Sequence, residues 1–146
     1  MNKERLDQLI MEGKLKMRSV DVPKINSLIT AAKVGIIAVQ KVPLIPETST
    51  LVFREYYECI RQLGDARWLS LGYEPKASHE VSMEILMGLK IENSIKLQNL
   101  DRFRKIRNNA NYRGYIVSVE EATEIRDFWD NLGEDIIKEV EKGVDG

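Results

Sequence analysis

The sequence predicts an all-α protein, an up-and-down bundle of five to six helices. Three observations predict it. Apolar residues recur every three or four positions through most of the chain. No stretch sustains the period-two alternation of a half-buried strand. Short connections bearing Pro or Gly separate the periodic segments, which favours antiparallel neighbours. The 146 residues suit one domain, taken here as residues 1–146.

The elements follow in order. Asn2 to Met17 begins with charges and places Leu6, Leu9, Ile10 and Leu15 at near-helical spacing, so a first, partly exposed helix is expected. Pro23 suits the first turn of a second helix, with Asp21 or Val22 near its cap and an end near Lys41. Ile25, Leu28, Ile29, Ala32, Ile36 and Val39 form its apolar stripe. Ala31, Ala32, Gly35 and Ala38 would let a neighbour come close. Pro43 and Pro46 mark a loop, and Thr48 or Ser49 can cap a long third helix ending near Gly72. Val52, Phe53, Tyr56, Ile60, Leu63 and Trp68 make its buried side. Gly64 inside it costs about 1 kcal/mol against Ala, which points to a bend or a close contact. Ser78 is the expected cap of a short fourth helix to about Leu89. Asn93 or Ser94 opens a fifth, and Gly114 ends or bends it. Ser118 and Glu121 fit a capping box, and the sixth helix runs to about Lys142 on Ala122, Ile125, Trp129, Leu132, Ile136 and Val140.

Hydrophobic residues at 43% and charged residues at 31% are those of a soluble globular chain. The net charge of -1 excludes a uniformly polybasic protein but hides an asymmetry. Ser94 to Tyr115 holds six Lys/Arg against one Asp, a local charge of +5, while Ile116 onward carries -7. The single cysteine, Cys59, excludes an intrachain disulfide and reads as a small buried hydrophobe. No signal-peptide layout opens the chain, and the longest apolar run, Val34 to Val39, is too short to span a bilayer. A cytoplasmic protein with no membrane partner is expected.

Chemistry concentrates in Leu100 to Gly114, LDRFRKIRNNANYRG. Leu97, Leu100, Phe103, Ile106 and Ala110 give it one buried edge. Arg102, Arg104, Lys105, Arg107 and Arg113 crowd the rest, with Asn108, Asn109, Asn111 and Tyr112. Three Asn in four residues suit a helix poorly, because amides compete for backbone hydrogen bonds. Their retention suggests another use.

RNNANYRG, after a basic amphipathic segment and before an acidic helix, resembles the signature region of the HEPN domains (higher eukaryotes and prokaryotes nucleotide-binding). The resemblance implies an all-helical, usually dimeric fold. It also implies a metal-independent endoribonuclease without cofactors, often paired with a minimal nucleotidyltransferase as toxin and antitoxin. The signature runs Arg, a polar residue, a few intervening residues, then His. Arg107 and Asn108 match its start, but Tyr112 stands five residues after Arg107, where His is expected. By resemblance Arg107, Tyr112 and Asn108 are the catalytic candidates. Arg104, Arg107, Asn111 and Arg113 are the candidates for holding phosphate or nucleic acid. Tyr112 and Tyr115 are the candidates for modification by the partner enzyme. Guanidinium suits phosphate oxygens. A phenol, however, titrates near pH 10 against about 6.5 for imidazole, so weak ribonuclease activity or none is expected.

A non-catalytic RNA- or nucleotide-binding module is the neighbouring reading, with Arg102, Lys105, Arg113 and Lys96 on phosphates and Tyr112 or Tyr115 stacking on a base. Against it stands a solvated basic face balanced by the acidic last helix. A helical protein-interaction module is the alternative of another class. His79, the only histidine, follows Ser78 and reads more simply as a helix-start residue than as a replacement base. No P-loop and no zinc-ligand spacing is present, so no metal is expected.

Overall fold

The computed structural model describes residues 1–76 and 80–145, the side chain of Asp145 excepted. Ser78 and His79 lie outside the described residues. The fold is all-α: α1 (Lys3–Met11), α2 (Val22–Val39), α3 (Ser49–Ser70), α4 (Glu80–Met87), α5 (Asn99–Tyr112) and α6 (Val119–Asp145). A small ribbon, β1 (Leu15–Met17) and β2 (Tyr73–Pro75), completes it, and one 3-10 segment, Ser94–Gln98, precedes α5.

The first helix is shorter than its pattern suggests. Asn2 caps α1 by accepting from the Arg5 N–H at 2.8 Å. Gly13 then takes φ +73°, in the left-handed region where only glycine is unstrained, and turns the chain back. Leu15 is buried as expected, but from a strand. The β1–β2 pairing is antiparallel, with Leu15 opposite Pro75 and Met17 opposite Tyr73. Strands of three residues are too short to display alternation, and their partner lies some sixty positions away in the chain.

The second helix starts as predicted, with Asp21 accepting from the Lys24 N–H at 3.1 Å. It is long and apolar enough to cross a membrane by length and composition, although no single apolar run within it is. Here Ile25, Ile29, Ala32, Ile36 and Val39 are buried and Val34 and Ile37 exposed. The close approach expected at Gly35 is against α3: a Cβ there would lie 2.5 Å from Cys59 Sγ.

The third helix is the axis of the fold, packed by α2, α4, α5 and α6. Phe53, Tyr56, Tyr57, Ile60, Leu63 and Trp68 are all buried. Gly64 is a contact point and not a bend: a Cβ there would come within 2.3 Å of the Ser82 carbonyl on α4. The Trp68 indole donates to the Val81 carbonyl at 2.8 Å, fixing the same pair of helices. Neither expected cap serves α3. The Thr48 hydroxyl accepts from the Ile45 N–H at 3.0 Å, within its own loop. Ser49 is buried, and its hydroxyl donates across the molecule to the Val117 carbonyl.

Asn93 does not open a regular helix. It adopts φ +60°, which Asn tolerates better than most residues, and leads into the 3-10 turn, so α5 begins at Asn99. Gly114, at φ +67°, ends α5, and the Tyr115 N–H closes back on the Asn109 carbonyl at 3.2 Å. The capping box of α6 is formed: the Glu121 N–H donates to Ser118 Oγ at 3.1 Å, and the Ser118 N–H donates to Glu121 Oε1 at 3.0 Å.

Two substitutions check this packing. Gly64→Ala improves helix propensity by about 1 kcal/mol, yet drives a methyl into backbone; a net loss of roughly 1–3 kcal/mol by urea denaturation is expected. Ser118→Ala removes one half of the box and is expected to cost about 0.5–2 kcal/mol in the same assay.

Candidate functional site

The buried edge of α5 sets where its polar residues point. Leu100, Phe103, Ile106 and Ala110 are buried, as the periodicity predicts. Phe103 meets Phe53 of α3 edge-on at 6.1 Å and Phe128 of α6 at 5.5 Å. With Phe103 locked between two helices, Arg107, one turn later, falls beside α3.

There it lines an open groove of about 550 Å³ with Arg54, Tyr57, Glu58, Leu51 and Asn111. The Arg107 guanidinium carbon lies 5.8 Å from the Tyr57 ring centre and 6.0 Å from that of Tyr112. Among the described residues Arg107 forms no ion pair and no side-chain hydrogen bond. Tyr57 is 2% exposed, and its hydroxyl has no hydrogen-bond partner. Burial pushes the phenol up to about 12, against the downward pull of the Arg107, Arg104 and Arg61 cations. The groove therefore presents a guanidinium with no ion pair among the described residues, in a lining that also holds Glu47, Glu55 and Glu58, while the Tyr57 hydroxyl is closed off from solvent. The guanidinium favours an anion.

The rest of the basic cluster is arranged differently. Arg104 pairs with Asp101 at 3.0 Å, Lys105 pairs with the same carboxylate at 3.2 Å, and Arg102 forks onto Glu124 of α6 at 2.9 and 3.1 Å. Arg102 and Lys105 line a second groove, on the other flank of α5, with Asn109, Tyr115 and Glu121. Of the basic face expected from the sequence, Arg102 and Lys105 are thus ion-paired, Arg102 by the acidic helix itself. Arg113 is an exposed C-cap residue, and Asn108, half-buried, lines neither groove.

Of the residues singled out in sequence, the fold brings together Arg107, Asn111 and Tyr112. Asn111 is held by Arg54, whose Nε donates to Asn111 Oδ1 at 3.0 Å while its Nη2 donates to the Ala110 carbonyl at 3.2 Å. A cation on the last carbonyls of α5 is a favourable cap. With its oxygen engaged, Asn111 has its NH2 group left to donate. Tyr112 is 77% exposed. Tyr115 donates its hydroxyl to Glu121, which raises its pKa and ties it to the cap of α6. The two candidate modification sites therefore differ: one ring is free at the groove edge and the other is in use.

Tyr57 and Arg54 were not legible as site residues. Tyr57 follows Phe53 by one helical turn, and that spacing signals burial only. Nothing local to α3 announces which part of α5 will cover it.

In comparisons with known proteins, no family model, no curated protein and no solved structure matches this chain. The HEPN resemblance rests on residues 107–114 and on their place between a basic segment and an acidic helix.

The Tyr57 environment has a measurable consequence. An acid whose pKa is raised by folding keeps its proton where the unfolded chain has lost it, so stability falls as pH rises from about 10, the unfolded phenol value, through about 12 in the folded state. Cys59 is likewise pushed up to about 12 by burial and acts in the same direction. Comparison of wild type with Tyr57→Phe isolates the phenol. The variant is expected to lose less stability over that range, and to be at least as stable at pH 7, because the hydroxyl removed had no partner.

Proposed function

We propose that the chain is an RNA- or nucleotide-binding protein of the HEPN type, which holds a phosphate group at Arg107. The observation that carries this reading is the Arg107 guanidinium, without an ion pair among the described residues, on the wall of an open groove. Asn111 adds an amide donor, and the exposed Tyr112 ring offers a base a surface to stack on. Glu47, Glu55 and Glu58 also line the groove. Their charge opposes a strand laid along its length, so one phosphate at the Arg107 end is the better fit.

Binding is the stronger half of the proposal and catalysis the weaker. Arg107 is suited to stabilising a phosphoryl transition state, with Asn108 as the matching polar residue of the signature. Tyr112 replaces the signature histidine, and a phenol accepts a proton poorly at neutral pH. Any endoribonuclease activity is therefore weak and metal-independent. A homodimer and a minimal nucleotidyltransferase partner follow from the resemblance, as one half of a toxin and antitoxin pair. Tyr112 is the better acceptor for a modifying partner, since its hydroxyl is exposed and Tyr115 is engaged. The exposed Leu51 at the groove edge favours one second reading, a non-catalytic protein-interaction module.

The test is retention of a mixed RNA pool as a function of salt, with cleavage followed in the same samples. Retention that falls steeply with salt is expected, and Arg107→Ala should weaken it by roughly tenfold or more. Tyr57→Phe should change it little, since the hydroxyl removed is closed off from solvent. If cleavage is seen and Arg107→Ala abolishes it, the enzyme reading holds. If neither retention nor cleavage responds to Arg107, the interaction module replaces both.

A further inference from the structure

A second cleft, far in sequence from the α5 signature and independent of it, lies between α1, the end of α3, β2 and α4. Its volume is about 610 Å³, within the range of ligand clefts, about 300–1,000 Å³. Leu6, Leu71, Ile85 and Leu89 supply apolar walls, and Leu71 is 47% exposed despite its size. Tyr73 adds a ring that packs edge-on against Trp68 at 6.1 Å.

Two arginines line this cleft, and they differ. Arg5 is committed: its Nε and Nη2 fork onto the Glu84 carboxylate at 2.8 and 2.7 Å. Arg67 is not. It has no ion pair and no side-chain hydrogen bond among the described residues, and its Nε is shut off from water without a partner. Its Nη1 lies against Gly143 of α6, where an added Cβ would sit 2.4 Å away. The helix end thus holds the guanidinium in place without satisfying it. A partly buried, unpaired guanidinium beside aliphatic walls is an incomplete arrangement.

We propose that this cleft binds a small monocarboxylate with an aliphatic body, its head group on Arg67 and its chain along Leu6, Leu71, Ile85 and Leu89. A carboxylate oxygen is a charged acceptor suited to a guanidinium N–H. A single negative charge is what one arginine, unpaired among the described residues, balances. A doubly charged phosphate would add repulsion from Glu84, which lines the same cleft. The apolar walls supply the remaining affinity through burial of the chain.

The probes are octanoate, octanamide and octyl phosphate, titrated calorimetrically into the full chain, with leucine methyl shifts recorded to locate the site. Saturable octanoate binding is expected, moving Leu6, Leu71 and Leu89 and leaving Leu51 unmoved. Octanamide, equal in shape but neutral, should bind about tenfold more weakly or worse, and Arg67→Met should weaken octanoate by a similar factor. The amide comparison needs no variant, so it stands even if Arg67→Met fails to fold. Equal binding of amide and carboxylate would overturn the proposal, as would unchanged affinity in a folded Arg67→Met. Absence of saturation up to about 10 mM would overturn it too, and so would octyl phosphate binding more tightly than octanoate.

Discussion

The close packing around α3 is the constraint on which the rest of this structure depends. Helices reach it from several sides, and at two points only glycine permits the approach: Gly35 of α2 faces Cys59, and Gly64 of α3 itself faces the Ser82 carbonyl. A chain of rings, Phe53, Phe103 and Phe128, joins α3, α5 and α6. Interiors packed to this density do not slide continuously. Once Phe103 is seated, the rotation of α5 is set, and with it the side on which Arg107 emerges. The Arg107 groove is a by-product of core packing before it is anything else.

Electrostatics then separates one cation from its neighbours. Arg102, Arg104 and Lys105 find carboxylates on α5 or α6, whereas Arg107 finds the face of Tyr57 and no ion pair among the described residues. The exposed pairs contribute little to stability. Their effect is instead to offset the charge of those three side chains, which leaves Arg107 as the cation that α5 presents to a groove also lined by Glu47, Glu55 and Glu58.

The end of α5 is held by groups distant in sequence. Arg54 closes on Ala110 and Asn111, Gly114 turns the chain, and the Ser49 hydroxyl and Thr50 Oγ1 fasten Val117 to the start of α3. Asn111 and Tyr112 therefore sit on an anchored helix end. The amide cluster that suits a helix poorly is tolerated because side chains of α3 and the loop satisfy the backbone that the helix terminus leaves open.

Sequence by itself determined the helices, their buried stripes, the Asp21 cap, the Ser118–Glu121 box and the stop at Gly114, since each depends on residues within a turn or two of one another. It also singled out Arg107. The β1–β2 ribbon, the shortened first helix and the use of Ser49 as a cross-link escaped it, because each is decided by a partner dozens of positions away. The same holds for the sites. Which arginine keeps its charge free, and that Tyr57 would stand beside it, are settled only when α5 lies down on α3: periodicity says that a face is buried but carries no information about what covers it.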